Sequence, residues 1–123
     1  VNGHGGNHRA VTEAVEMLTA EGHSVTAWWP NDITDLSGVP ASDDLHAGLV
    51  ETSVMMCLAP DAVRAEAIAP GSIVDLEALR ADGVALHSPS GVIGNPTGAT
   101  AELGQAILAK WTAALEHHIE HLQ

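Results

Sequence analysis

The chain contains neither phenylalanine nor tyrosine. Its core must therefore be built from small aliphatic side chains and three tryptophans, Trp28, Trp29 and Trp111. Such side chains fill a thin interior, which favours close packing of helices on a sheet. A length of 123 residues supports one domain with one modest core. Hydrophobic residues make up 46% and charged residues only 16%, a globular balance rather than a disordered one.

Charge narrows the partners. The formal net charge is −12, and the only lysine and arginine residues are Arg9, Arg64, Arg80 and Lys110. A surface this acidic repels phosphate backbones and anionic membranes, so neither nucleic acid nor membrane is expected as a partner. No apolar run approaches the ~18 residues of a membrane-crossing helix. The single cysteine, Cys57, lies in the apolar run Val54-Met55-Met56-Cys57-Leu58. It reads as a buried, inert thiol, with no internal disulfide possible, and fits a cytoplasmic location.

The pattern of elements predicts an α/β chain. Val1 reads as the last residue of a strand, and residues 2–7 as a Gly-rich loop. Asn7 is placed to cap a helix over residues 8–21, with Ala10, Val11, Ala14, Val15 and Leu18 at helical spacing and Gly22 at its end. Residues 25–29 read as a strand, which completes a βαβ unit with parallel strands. Residues 30–40 read as a loop long enough to suggest a site or an interface. Ser42 or Asp43 would cap a helix over 45–58, which Pro60 ends, and Asp61 would open a short helix to 67. Residues 76–80 suggest a short helix, 84–87 a short strand, and 88–98 a loop. A helix from Thr100 to about 121 carries Leu103, Ile107, Trp111 and Leu115 on one face. Because the chain opens on Val1-Asn2-Gly3, where a strand should precede the loop, residues 1–123 read as the C-terminal portion of a longer domain.

Three segments could carry chemistry. The first is Asn2-Gly3-His4-Gly5-Gly6-Asn7, at a strand end and helix start, where ligands gather in open α/β sheets. His4 could ligate a metal or move a proton. An anion-binding loop, or a turn with an exposed histidine, fits the composition equally well. The second contains His46 and Glu51. Five residues on an ideal helix separate two side chains by about 140°, so they flank one site only if His46 precedes the helix. A carboxylate and an imidazole suit a hydrolytic metal site. A helix-capping Asp pair followed by an ordinary salt-bridged Glu51 is the competing reading. The third is the loop of Gly91, Gly94 and Pro96, which could line a substrate pocket or be purely structural. At the far end, His117 and His121 could share a metal by their i, i+4 spacing, although Glu116 and Glu120 suggest a solvated face.

Taken in order, these segments resemble the creatininase family of metal-dependent amidohydrolases. The resemblance rests on Asn-Gly-His-Gly-Gly-Asn at 2–7, His-Ala-Gly-x-x-Glu-Thr-Ser at 46–53, Leu-x-Pro at 58–60 and Gly-x-x-Gly-x-Pro-x-x-Ala-Thr at 91–100. Within the family the wording is nearest to a peptidase that releases a C-terminal dipeptide from a modified precursor peptide. The resemblance implies a three-layer α/β/α fold with a mostly parallel sheet, here a partial domain, and a homo-oligomer, often a hexamer. It implies one or two divalent metal ions, Zn, Mn or Fe.

By the same resemblance, His4 would be a metal ligand, Glu51 a ligand or catalytic group, and His46 the acid/base residue. Asn2, Gly5, Gly6, Asn7, Gly94 and Pro96 would line the substrate site. Creatininase proper has a glutamate where this chain has Gly6 and another where it has Leu45, which argues against creatinine as substrate. The family's other ligands, a Glu-x-His pair and an Asp, would lie in an N-terminal half upstream of Val1. The substrate would be a peptide or a small amide, with creatininase-type or formamide-deformylase-type chemistry as the alternative. A non-catalytic interaction subunit is the reading from another class.

Overall fold

The computed structural model describes residues 1–30, 37, 39–40 and 44–122. Among these residues there are five α-helices: α1 (His8–Ala20), α2 (Leu49–Leu58), α3 (Leu76–Asp82), α4 (Val84–His87) and α5 (Ala101–Glu120). Short 3-10 turns among the described residues lie before α1, at Gly5–Asn7, and between α2 and α3, at Pro60–Ala62 and Ala65–Ala67. The chain divides into two compact units. The first comprises Val1–Asp35 and Trp111–Gln123, the second Leu36–Lys110, so α5 contributes to both.

The expected α/β/α fold with a parallel sheet is not what forms. Among the described residues there is no strand, only two isolated bridges, His46 with Ile93 and Ser72 with Ile93. The physical reason is visible at each expected strand. Residues 25–29 are irregular, and a single hydrogen bond, from Asn2 N–H to the Trp28 carbonyl (3.0 Å), links them to the chain start. Two extended segments with no third strand beside them are marginal in water, and here they do not build a ladder. Residues 84–87 instead close one helical turn, with Ser88 N–H donating to the Val84 carbonyl at 2.9 Å. Ala85 and Leu86 are good helix formers, and Val84 alone does not outweigh them.

In the first unit, α1 follows its apolar spacing. Val11 and Val15 are half-buried, while Leu18 and Met17 stand exposed. The helix ends at Gly22, whose φ of +88° lets His23 N–H reach back to the Leu18 carbonyl (2.9 Å). Asn7 does not cap the helix with its side chain: its backbone is already helical (φ −86°, ψ −4°), and its Nδ2 donates to Asn2 Oδ1 instead. Trp28 is buried, and Trp29 stacks on His8 with ring centroids 4.9 Å apart.

The core of the second unit joins α2, the first half of α5 and the loop around Ile93. Leu49, Val54, Ile93 and Ile107 are buried, with Ser53 between them. Gly104 of α5 lies against the Ser53 carbonyl so closely that a Cβ there would overlap it. Thr100 caps α5 by accepting from Leu103 N–H (3.1 Å), and Ser53 Oγ accepts from Thr100 N–H (3.3 Å). Cys57, expected to be buried, is half-buried beside Gly104.

Helix boundaries were partly legible. The start of α5 and the turn at 76–80 agree with the pattern, the latter extended to Asp82 and capped by Asp75, which accepts from Ala78 N–H (2.9 Å). The expected helix at 61–67 is instead two 3-10 turns separated by extended Val63. The expected start of α2 at Leu45 moves to Leu49, because Leu45 and His46 pair with Ile93. The proposed caps Ser42 and Asp43 lie outside the described residues.

Candidate functional site

The segment before α2 is held as a rigid corner. Leu45 N–H and His46 N–H both donate to the Ile93 carbonyl (2.9 and 3.1 Å), and Ile93 N–H donates to the His46 carbonyl (2.9 Å). Ile93 is 1% exposed, so the backbone of His46 is pinned to the core of its unit. Ala47 then takes a left-handed conformation (φ +53°), unusual for a residue with a Cβ. That turn places His46 outside the helix. Its Nδ1 comes to 4.0 Å from Glu51 Oε2, with side chains 39% and 50% exposed. Glu51 Oε2 also accepts from Ala47 N–H. The angular objection to pairing His46 with Glu51 is thus removed by a non-helical corner.

Asp44 organises the opposite side and was not singled out as a site residue from sequence. Its Oδ2 accepts from Leu49 N–H (2.5 Å), an orphan donor at the start of α2. Its Oδ1 accepts from Asn95 N–H (2.7 Å), across 51 residues. Gly48 and Gly94 both face this carboxylate, and a Cβ on either would overlap it. The signal was present in Asp-x-x-x-Gly ahead of a helix, but only tertiary contact shows that the same carboxylate also holds the 91–100 loop. Beside it lies a cleft of about 590 Å³, lined by Asp44, Leu49, Ser72, Ile93, Gly94 and Asn95 among others. Gly94 therefore reaches the cleft, whereas Pro96 is buried and does not line it.

The residues at 2–7 form a separate local structure in the first unit. Asn7 N–H donates to the His4 carbonyl (3.0 Å), and Asn2 Nδ2 donates to the same oxygen (2.8 Å). Asn7 Nδ2 donates to Asn2 Oδ1 (3.0 Å). Both asparagine side chains are thus engaged in shaping the loop that carries His4. Gly5 and Gly6 are exposed in the 3-10 turn that follows. A Cβ at Gly6 would lie 2.6 Å from His4 Nε2, so glycine is what leaves that nitrogen clear.

A clear imidazole nitrogen fits a metal ligand, and Glu51 offers one carboxylate. A protein metal centre needs three or four such donors. Among the described residues, the group of three close ligand side chains is His117, Glu120 and His121, and none forms at His4 or Glu51. The donor set at the candidate site is therefore partial on this chain. No described helix is long and apolar enough to cross a membrane.

The profile of the creatininase family, described as creatinine amidohydrolase, matches residues 1–119. A mycofactocin precursor peptide peptidase of Mycolicibacterium smegmatis is 37% identical over 127 residues, covering 100% of this chain and 48% of that protein. Proteins of the same name from Mycobacterium ulcerans and Mycobacterium tuberculosis are 41% and 44% identical over 114 and 113 residues, covering 89% of this chain and 42% of theirs. The chain spans less than half the length of these curated relatives. No solved structure matches it. With residues 1–119 of its 123 under the family profile, the chain belongs to the creatininase family.

Proposed function

We propose that this chain supplies one wall of a metal-dependent peptidase site that acts on a mycofactocin precursor peptide and releases its C-terminal dipeptide. The observation that carries this reading is the His46–Glu51 pair, 4.0 Å apart on a corner pinned to Ile93. His4 and Glu51 would each be a ligand for a divalent ion, Zn, Mn or Fe, with the other donors coming from the rest of the protein. When bound, the ion would polarise the amide carbonyl and acidify water.

This chain's own residues do the proton work. His46 delivers a proton to the departing amide nitrogen. Glu51 stands beside that ring, with Oε2 4.0 Å from Nδ1. Asp44, through Leu49 and Asn95, keeps the cleft and the His46 corner in register. Gly94 lets an extended peptide backbone approach closely, as a residue with a Cβ would not.

The exposed Ile73 (94%) and Leu86 support burial against further subunits in a homo-oligomer such as the family's hexamer. One free cysteine fits a cytoplasmic enzyme.

The test uses the full-length protein. His46→Ala should abolish hydrolysis of the precursor peptide while most of the metal stays bound. Retained activity would overturn the role of His46. Faster turnover of small cyclic or formylated amides than of the peptide would overturn the substrate class.

A further inference from the structure

We infer that the C-terminal end of α5 carries a separate, surface-exposed site for a divalent transition metal, built from His117, Glu120 and His121. His117 and Glu120 share one face of the last turn of α5, and His121 follows in the turn that closes the helix, where its N–H donates to the His118 carbonyl at 3.2 Å. Their ligand atoms all lie within 4.8 Å of one another. The two imidazole rings face each other with centroids 4.1 Å apart and planes tilted by 42°.

One hydrogen bond prepares the donors. His121 Nδ1 lies 2.7 Å from the His117 carbonyl. A carbonyl oxygen only accepts, so Nδ1 carries the proton and Nε2 keeps its lone pair. A backbone carbonyl on the distal nitrogen is the arrangement that orients metal-bound histidines. This bond is made within the helix end itself, so the ligand is oriented before any ion arrives.

Electrostatics act in the same direction. The last turn of a helix carries the negative end of its dipole, which favours a cation. Arg9 is the only arginine or lysine in this unit, and it is paired with Glu13 at 2.7 Å. Two imidazole nitrogens and a carboxylate oxygen form a borderline donor set, suited to Zn(II), Ni(II) or Cu(II) rather than Mg(II) or Ca(II). A tetrahedral ion with bonds of about 2.0–2.1 Å separates its donors by roughly 3.4 Å. Small rotations of exposed side chains close the remaining distance. Three protein donors leave one position open to water or to a ligand from another chain. The site shares no residue with the His4, His46 and Glu51 constellation.

The experiment is Ni(II) binding to full-length, tag-free protein after chelator treatment, followed by equilibrium dialysis with metal analysis. Wild type should bind one equivalent per chain more than H117N/H121N. H23N should retain that equivalent, and H4N should bind one equivalent more than H4N/H117N/H121N, which separates this site from His4. E120Q keeps both rings and should bind this equivalent more weakly. Far-UV circular dichroism checks that α5 persists in each variant. The same Ni(II) stoichiometry and affinity in wild type, H117N/H121N and E120Q would overturn the site. So would equal Ni(II) stoichiometry in H4N and H4N/H117N/H121N.

Discussion

Ile93 takes up both backbone polar groups of His46: it donates to the His46 carbonyl at 2.9 Å and accepts from His46 N–H at 3.1 Å. A core residue thereby sets the position of the proposed acid/base side chain. Ile93→Ala removes a buried side chain and should cost about 2–5 kcal/mol of stability. Urea denaturation measures that loss. Activity should fall with it at temperatures where the variant is still folded, because the corner bearing His46 loses its support.

Gly94 and Gly91 make a matched comparison. Both have positive φ, +137° and +82°. At Gly91 an added Cβ meets open space, whereas at Gly94 it overlaps the Asp44 carboxylate. Gly91→Ala should cost only the conformational penalty, roughly 1 kcal/mol. Gly94→Ala should cost more, about 2–4 kcal/mol, as strain and displacement of Asp44 add to it. Equal denaturation midpoints for the two variants would show that Asp44 is not packed on Gly94.

At Gly104, two effects oppose each other. Helix propensity favours alanine over glycine by about 1 kcal/mol. The close approach of the Ser53 carbonyl opposes it, since a Cβ would overlap that oxygen. Overpacking of a tight core costs about 1–3 kcal/mol, so the clash should win and Gly104→Ala should be destabilising. A higher thermal midpoint than wild type would contradict this packing of α5 on α2.

Glu51→Gln should preserve the acceptor for Ala47 N–H and hence the fold, while removing the charge 4.0 Å from His46. In the full-length enzyme kcat should drop by about 10²–10⁴, the usual reach of acid/base assistance. Steady-state kinetics on the precursor peptide, with circular dichroism as the folding check, measure it. Unchanged kcat would remove Glu51 from the mechanism.

Gly6→Ala separates a ligand role from a structural one. His4 is exposed, so its ring can move from a Cβ placed 2.6 Å away, and stability should change by less than about 0.5 kcal/mol. Metal affinity of the full-length protein should nevertheless fall. Wild-type affinity, measured by competition with a chelator, would show that Nε2 of His4 does not need that clearance.

Some of this protein was determined by sequence alone. Periodicity placed α1 and α5, because a run of apolar residues at helical spacing forms local i to i−4 bonds without help from distant chain. Gly22 ended α1 for an equally local reason. The His4, His46 and Glu51 motifs, read in order, pointed to the family that the profile match shows. Strands were not decided locally. Residues 25–29 have strand-like side chains, yet a ladder needs neighbours, and one hydrogen bond to Asn2 does not make one. Residues 84–87 became helical because one closed turn satisfied the backbone where no partner strand did. The site depended on tertiary structure in the same way. On an ideal helix His46 and Glu51 diverge. They meet because Ile93, 47 residues later, holds His46 out of the helix, and Asp44 reaches Asn95 to fix the loop beside them. Long-range hydrogen bonds, which no local pattern encodes, turned two motifs into one corner.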